Sequence, residues 1–130
     1  ELVAVSVHLK SGGAPKSITK RFQQINIISK VVQEYKNLGI KNYIIMGDFN
    51  STEYIFKGST YNKFKYAVEK MGLIDLAKDV KCTAYWWGGI DDRQQYPSVL
   101  DHMLVSPGLV VDKNVSKARP ATCLIHATTN

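Results

Sequence analysis

The stretch IIMGDFNST, residues 44–52, decides how the chain is interpreted, because an apolar run ends there in polar residues. Two isoleucines and a methionine are typical of a buried strand. Asp48 and Asn50 then flank Phe49 at the tip of that strand. Such residues are common in turns, where their side chains bind nearby backbone groups. A carboxylate and an amide at a strand end can also be aimed at a substrate.

The composition sets the outer limits of the interpretation. The chain has 130 residues and is 45% hydrophobic, which predicts one domain over residues 1–130 with a real core. No apolar run approaches the ~18 residues of a membrane span. The formal net charge of +6 favours nucleic acid, phosphorylated ligands or an anionic membrane surface as partners, although lysines on solvated helix faces explain it equally simply.

The two cysteines, Cys82 and Cys123, match no zinc-binding pattern. They form one disulfide if the protein is exported, secreted or periplasmic, and are otherwise two buried thiols. The sequence leaves the compartment open.

Periodicity predicts an α/β (α+β) fold with a mixed sheet, in the element order β-α-β-α-β-β-β. Ser17 is predicted to cap the first helix, and Gly39 and Gly72 to end the two helices. The predicted strands are 2–9, 42–46, 82–87, 99–105 and about 115–126, the predicted helices are about 18–38 and 60–71, and 88–98 is predicted to be a polar loop.

Polar groups lie at the ends of three apolar strands: His8, the pair Asp48 and Asn50, and the pair Asp101 and His102. Ligand sites gather where strand ends and their loops meet. A histidine, a carboxylate and an amide at neighbouring strand ends can bind one phosphate and activate one water.

Four motifs carry a resemblance to a known family. They are VHLKSG at 7–12, R-x-x-Q at 21–24, MGDFNST at 46–52 and LDHMLVSPG at 100–108. In this order and spacing the chain resembles the C-terminal portion of the endonuclease/exonuclease/phosphatase (DNase I-like) superfamily. The resemblance implies part of a four-layer α/β sandwich with mixed β-sheets.

The resemblance also implies roles for individual residues. His8 resembles the histidine that assists at the scissile phosphate, and Asp48 the aspartate that orients or deprotonates the attacking water. Asn50 resembles the asparagine that holds that aspartate or a phosphate oxygen. Asp101 resembles the aspartate that fixes the final catalytic histidine. The family uses Mg²⁺ or Mn²⁺, and the resemblance makes Asp48 and Asn50 metal ligands.

The chain departs from the family pattern in two respects. The closing Ser-Asp-His is absent, and we predict that His102 is a packed strand residue rather than its substitute. The first half of the family fold, with its metal-binding glutamate, is also missing. We therefore interpret 1–130 as an incomplete domain, the C-terminal half.

Several further residues receive weaker predictions. Lys10 and Trp86 are candidate substrate-binding residues, Lys10 toward phosphate and Trp86 by stacking on a base or a lipid. Because strand residues alternate, one of Trp86 and Trp87 is expected in the core. Arg21 is expected to brace the helix start against a loop carboxylate. Cys123 and His126 are expected to be strand-packing residues.

The sequence thus predicts a metal-dependent phosphoesterase, most simply a phosphodiesterase or nuclease acting on nucleic acid through an activated water. A phosphatase or phospholipase acting on small phosphate esters or lipid headgroups is the alternative within the enzyme class. A non-catalytic polyanion-binding remnant is the alternative outside it. Because a half-sandwich leaves one sheet face uncovered, we also expect the chain to self-associate.

Overall fold

The chain is described from a computed structural model, which covers residues 1–51, 58–80, 82–87 and 95–109. These residues form a mixed α/β fold with two helices and two sheets. The strands are β1 (Val3–His8), β2 (Tyr43–Asp48), β3 (Ile74–Asp75), β4 (Ala84–Trp87), β5 (Gln95–Ser98) and β6 (Asp101–Val105), and the helices are α1 (Pro15–Asn37) and α2 (Ser59–Met71).

The larger sheet has the strand order β1-β2-β6-β3. β1 and β2 are parallel, whereas β6 is antiparallel to both β2 and β3. The predicted mixed sheet is therefore confirmed. The parallel β1–β2 pair needs a crossover connection, and α1 supplies it. The smaller sheet is the antiparallel β4–β5 pair.

The core lies between the larger sheet and the two helices. The alternation of β1 and β2 directs Val3, Val5, Val7 and Ile45 toward it. Tyr43 is buried in the same cluster, and this burial raises the pKa of its hydroxyl by desolvation.

Helix α1 begins earlier than predicted, at Pro15. The prediction that Ser17 caps it is wrong, because Ala14 is the N-cap residue and no side chain caps the helix. Proline is well suited to the first helical turn, since its φ is already helical and it has no N–H to leave unpaired. The predicted end is confirmed, with Gly39 left-handed at φ 71°.

Helix α2 follows the prediction closely. Phe64, Val68 and Met71 are buried, one helical turn apart, on the side that faces the sheet. Gly72 ends the helix in the left-handed conformation, with φ 70°. Because α1 and α2 contact each other and cover the same sheet face, we call them together the helix layer.

The prediction failed in the short strands. Residues 95–98, predicted to be loop, form β5, because their backbone pairs with β4 in the register Trp86↔Tyr96. The two-residue strand β3 was not predicted, since two residues show no periodicity. The strand predicted at 115–126 lies outside the described residues.

The sheet face opposite the helix layer carries every second residue of the same strands. Ser6, Met46 and Met103 are register partners there, and Met103 is exposed. Ala4, Ile44 and Val105 form the next row. We call this side of the larger sheet the open face.

The structure also bears on the predictions about a membrane span and about a disulfide. Within the described ranges, neither helix is long and apolar enough to cross a membrane. Cys82 is disulfide-bonded. Cys123, the other cysteine of the predicted pair, lies outside the described residues.

Candidate functional site

Three of the predicted site residues are brought together at one end of the larger sheet. His8 of β1 is the register partner of Asp48 of β2, and Asp48 is the register partner of Asp101 of β6. Side chains at paired positions project from the same face of a sheet. His8, Asp48 and Asp101 therefore form one row across three strands, on the open face, which we call the strand-end row.

Gly47 allows β1 and β2 to approach closely beside this row. Its φ of 136° is strained for any L side chain, and a Cβ atom there would overlap the carbonyl oxygen of Val7. The glycine in the motif is therefore required by the backbone. It sets the position of Asp48, the next residue.

Asp48 is held from two sides. Its Oδ2 lies 3.6 Å from Nε2 of His8. Its Oδ1 accepts a hydrogen bond of 2.9 Å from the backbone N–H of Asn50. This second contact is the backbone bond typical of a turn aspartate, but it occupies only one of the two carboxylate oxygens.

Asn50 fixes the tip of the motif to the neighbouring strand. Its backbone is left-handed at φ 49°, a conformation that asparagine tolerates better than most residues. Its side-chain Nδ2 donates a 3.0 Å hydrogen bond to the carbonyl of Leu9. Asn50 therefore positions Asp48 through its own backbone N–H and the end of β1 through its side chain.

Phe49 points the other way, into the core. It is 1% exposed, and its ring lies 5.5 Å from that of Phe64. Its backbone N–H donates to the carbonyl of Leu100, which ties the motif to the start of β6. The alternation Asp48, Phe49, Asn50 therefore places a buried anchor between two polar groups.

Asp101 is exposed at the start of β6 and is held by Thr83, a residue that the sequence analysis did not single out. The hydroxyl oxygen of Thr83 accepts hydrogen bonds from the backbone N–H groups of Leu100 and Asp101, each 3.0 Å long. This contact fixes the backbone of Asp101 and leaves its carboxylate directed to solvent.

The loop after His8 is held by the R-x-x-Q motif. Arg21 donates to the carbonyls of Lys10 and Gly12, and Gln24 accepts from the backbone N–H of Lys10. The predicted structural role of Arg21 is confirmed, since its guanidinium holds the loop through these two carbonyls. Its pairing with a loop carboxylate stays a prediction. A buried guanidinium can satisfy two loop carbonyls at once because its donors form a planar fork.

Lys10 itself is exposed, and its Nζ donates to the carbonyl of Ser11. It lies two residues beyond His8, so its flexible side chain starts close to the strand-end row. The structure is thus compatible with contact to a phosphate, and its role in substrate binding stays a prediction.

His102 is a packed strand residue, as predicted. It is 5% exposed and belongs to the helix-covered face, so it points away from the strand-end row. Its Nδ1 lies 2.7 Å from Oδ2 of Asp75, its Nε2 lies 3.2 Å from the carbonyl of Val99, and its ring contacts Phe49. His102 therefore packs against Phe49 and helps to hold residues 48–50 in place from the core side.

Trp86 lies on β4 and is exposed, with its ring 5.9 Å from that of Tyr96. It is three residues beyond Thr83, about 10 Å along an extended strand. An exposed indole on β4 suits the predicted stacking role, which stays a prediction. The side chain of Trp87 lies outside what is described.

Among the residues that the structure describes, the basic charge does not gather at the strand-end row. The helices α1 and α2 hold eight lysine or arginine residues and two glutamates, a formal charge of +6. The described residues outside the helices hold three lysines and five carboxylates, a formal charge of −2. Among the described residues the excess positive charge therefore lies on the helices, and the nucleic acid substrate stays a prediction.

The metal ligands predicted from the resemblance are Asp48 and Asn50. Within the described residues, no group of three or more His, Cys, Asp or Glu side chains is arranged to hold a metal ion. Asp48 nevertheless offers a carboxylate oxygen, which is a suitable ligand for Mg²⁺ or Mn²⁺. The donors present thus fit part of such a site.

Comparison of the chain with protein-family models, curated proteins and solved structures finds no match. The class that the described residues define is therefore the coarse one, an α/β chain with a mixed sheet and helices on one face.

Proposed function

We propose that this chain carries part of the active site of a metal-dependent phosphoester hydrolase of the endonuclease/exonuclease/phosphatase type. One observation carries the proposal. His8, Asp48 and Asp101, which are far apart in the sequence, are register partners on three neighbouring strands. A structural explanation of each residue alone gives no reason for the three to share one row.

The charges of the strand-end row also favour binding of a cation. Asp48 and Asp101 occupy directly opposed positions, and like charges so placed destabilise a sheet. A divalent cation near the two carboxylates would remove that repulsion. We propose Mg²⁺ or Mn²⁺, with Asp48 and the side-chain oxygen of Asn50 among its ligands.

The chain's own residues then have distinct tasks. Oδ2 of Asp48 accepts a proton from the attacking water, while Oδ1 stays bound to the N–H of Asn50 and keeps the carboxylate oriented. Nε2 of His8 donates to a phosphoryl oxygen. Asp101 orients the final catalytic histidine that the family resemblance implies. A divalent cation bound at this site would polarise the phosphate and stabilise charge on the leaving oxygen.

The reaction class has two candidate substrate groups. A phosphodiesterase or nuclease follows from His8 and the family resemblance, with Lys10 and Trp86 binding the polymer. Most of the described lysines lie on the helix layer. This favours the second candidate, a small phosphate ester or a lipid headgroup, because such a substrate needs no extended basic track.

The decisive experiment compares three substrates with and without metal. The purified chain is incubated in Mg²⁺ or Mn²⁺ with supercoiled plasmid, a nitrophenyl phosphodiester or a nitrophenyl phosphomonoester, and EDTA is added to a parallel set. Asp48→Asn keeps an acceptor for the N–H of Asn50 but removes the base. We expect it to lower turnover by at least about a hundredfold.

Asp79→Asn is the matched control, since Asp79 is an exposed aspartate in the turn after β3 and lies outside the strand-end row. It should leave turnover unchanged. Turnover that survives EDTA, or an equal loss in both variants, would contradict the proposal. Salt-sensitive binding of polyanions by both variants without any turnover would favour the non-catalytic alternative instead.

A further inference from the structure

A groove runs along the outer side of the helix layer, between α1 and α2. Its floor is apolar and is formed by Ile18, Phe22 and Ala67, which are all partly buried. Lys63 and Lys70 form its α2 side. We call this feature the outer groove, and it is separate from the strand-end row, which lies on the opposite face of the sheet.

The spacing of the groove residues follows from the two helices. On α1, Ile18 and Phe22 are four residues apart and form a partly exposed ridge, while Ile25, three residues further on, is buried beneath it. On α2, Lys63 and Lys70 are seven residues apart, so they lie two turns and about 10 Å from each other on one side. The groove thus has an apolar floor, with the ammonium groups of Lys63 and Lys70 along its α2 side.

The charge of the outer groove is one-sided. Among the described residues that line it there are two lysines and no carboxylate. Nζ of Lys63 lies 5.9 Å from the ring centroid of Phe22, so this side chain crosses the groove and rests on its floor. An exposed contact of that kind is worth only about 0.5–1 kcal/mol, so a carboxylate can replace it readily.

We propose that the outer groove binds an amphipathic helix of a partner protein, with apolar side chains on the floor and carboxylates against Lys63 and Lys70. Helix-in-groove recognition uses anchors at three- and four-residue steps, and the floor offers the matching ridge. Two carboxylates seven residues apart on the partner helix would meet the two lysines directly.

Other occupants fit the outer groove less well. A nucleic acid backbone gains nothing from an apolar floor, and a bilayer surface cannot enter a recess between two helices. A second copy of the chain would bring its own helix layer, with a formal charge of +6, against the first. The combination of apolar floor and cationic side therefore selects an acidic amphipathic helix.

The test uses a designed helical peptide with leucines on one face and glutamates seven residues apart on the adjoining face. Binding to the full chain is measured by fluorescence anisotropy and mapped by amide chemical shifts. We expect a dissociation constant in the micromolar range and shifts centred on Phe22 and Ala67. A peptide with lysines in place of the glutamates should bind at least about tenfold more weakly.

Two charge-matched variants locate the interaction. Lys63→Glu with Lys70→Glu should weaken binding by about tenfold or more, while Lys16→Glu with Lys30→Glu, which are exposed on α1 outside the groove, should change it less than about threefold. All four substitutions are on exposed positions, and circular dichroism checks that the fold is retained.

Three results would overturn the proposal. The first is equal weakening by the two double variants, which would show non-local charge attraction. The second is tighter binding of a short DNA duplex or of phosphatidylserine vesicles than of the acidic peptide. The third is no saturable binding of the peptide. Any of these would remove the helix-in-groove assignment without bearing on hydrolysis at the strand-end row.

Discussion

The two faces of the larger sheet differ although they are built from the same strands. The helix-covered face packs Ile45, Leu104 and His102 into the core, each at most 5% exposed. The open face carries the strand-end row and, below it, Met46 and Met103. Adjacent residues of one strand thus serve different purposes, because side chains alternate between the faces. Stability is expected to depend on one face, and chemistry and association on the other.

Gly47→Ala should have the largest effect, because it disturbs both faces together. A methyl group at Gly47 would overlap the Val7 carbonyl and force an unfavourable backbone angle, so we expect a loss of more than about 3 kcal/mol in the free energy of unfolding. Gly39→Ala is the control. Gly39 also has a positive φ, but nothing lies within 4 Å of an added Cβ, so about 1 kcal/mol is expected. Urea denaturation measures both, and equal losses would contradict the close approach of β1 and β2.

The same substitution at two adjacent residues compares the faces directly. Ile45 is fully buried, and Ile45→Ala should cost about 3–4 kcal/mol. Ile44, its neighbour on the open face, is only partly buried, so Ile44→Ala should cost about 1 kcal/mol. Urea denaturation of both variants gives the difference. Equal costs would mean that the open face is packed as tightly as the core.

Asp101 and His102, adjacent residues of β6, extend the comparison of the two sheet faces to polar side chains. His102→Phe removes both hydrogen bonds of the imidazole and leaves Asp75 without this partner, so we expect a loss of about 2–3 kcal/mol. Asp101→Asn, one residue earlier and exposed, should change stability by less than about 0.5 kcal/mol but lower any metal-dependent turnover. Thermal unfolding and the hydrolysis assay separate the two outcomes. A destabilised Asp101→Asn would argue that this aspartate is structural.

Self-association is the smallest expected effect. If the open face mediates it, Met46→Lys with Met103→Lys should weaken the association by about tenfold, because each lysine would be desolvated at the contact. Ile27→Lys is the control, since Ile27 is an exposed apolar residue on the helix layer. Sedimentation velocity measures all three forms. A monodisperse wild-type monomer would contradict the prediction of self-association.

The sequence predicted the regular part of this molecule well. Alternation identified β1, and helical periodicity with terminal glycines identified both helices, because these signals extend over many residues. Asp48 and Asn50 were singled out as candidate site residues because polar residues directly follow a buried strand. The proximity of Asp101 to them could not be derived from periodicity, since it depends on which strands pair. That inference came only from the motif order.

The failures have equally physical reasons. β5 contains a proline and polar residues, and only its pairing with β4 makes it a strand. Thr83 was missed because a single hydroxyl that accepts two backbone N–H groups leaves no pattern in the sequence. Asp75 was missed because its single contact with His102 also leaves no pattern in the sequence. Its position after Leu73 and Ile74, just beyond the end of α2, was only a weak signal. Net charge could not indicate where the basic residues lie, because composition says nothing about location.

Phe49 has a consequence for how this chain can change over evolutionary time. It is buried against Phe64 and His102, yet its two neighbours in sequence are the polar groups of the candidate site. A substitution that repacks the core around Phe49 is therefore expected to shift Asp48 and Asn50 as well. Substitutions in the core around Phe49 and substitutions in the candidate site are therefore not independent of each other. Lineages in which Asp48 and Asn50 keep their positions should accept core changes at Phe64 only together with compensating changes at Phe49 or His102.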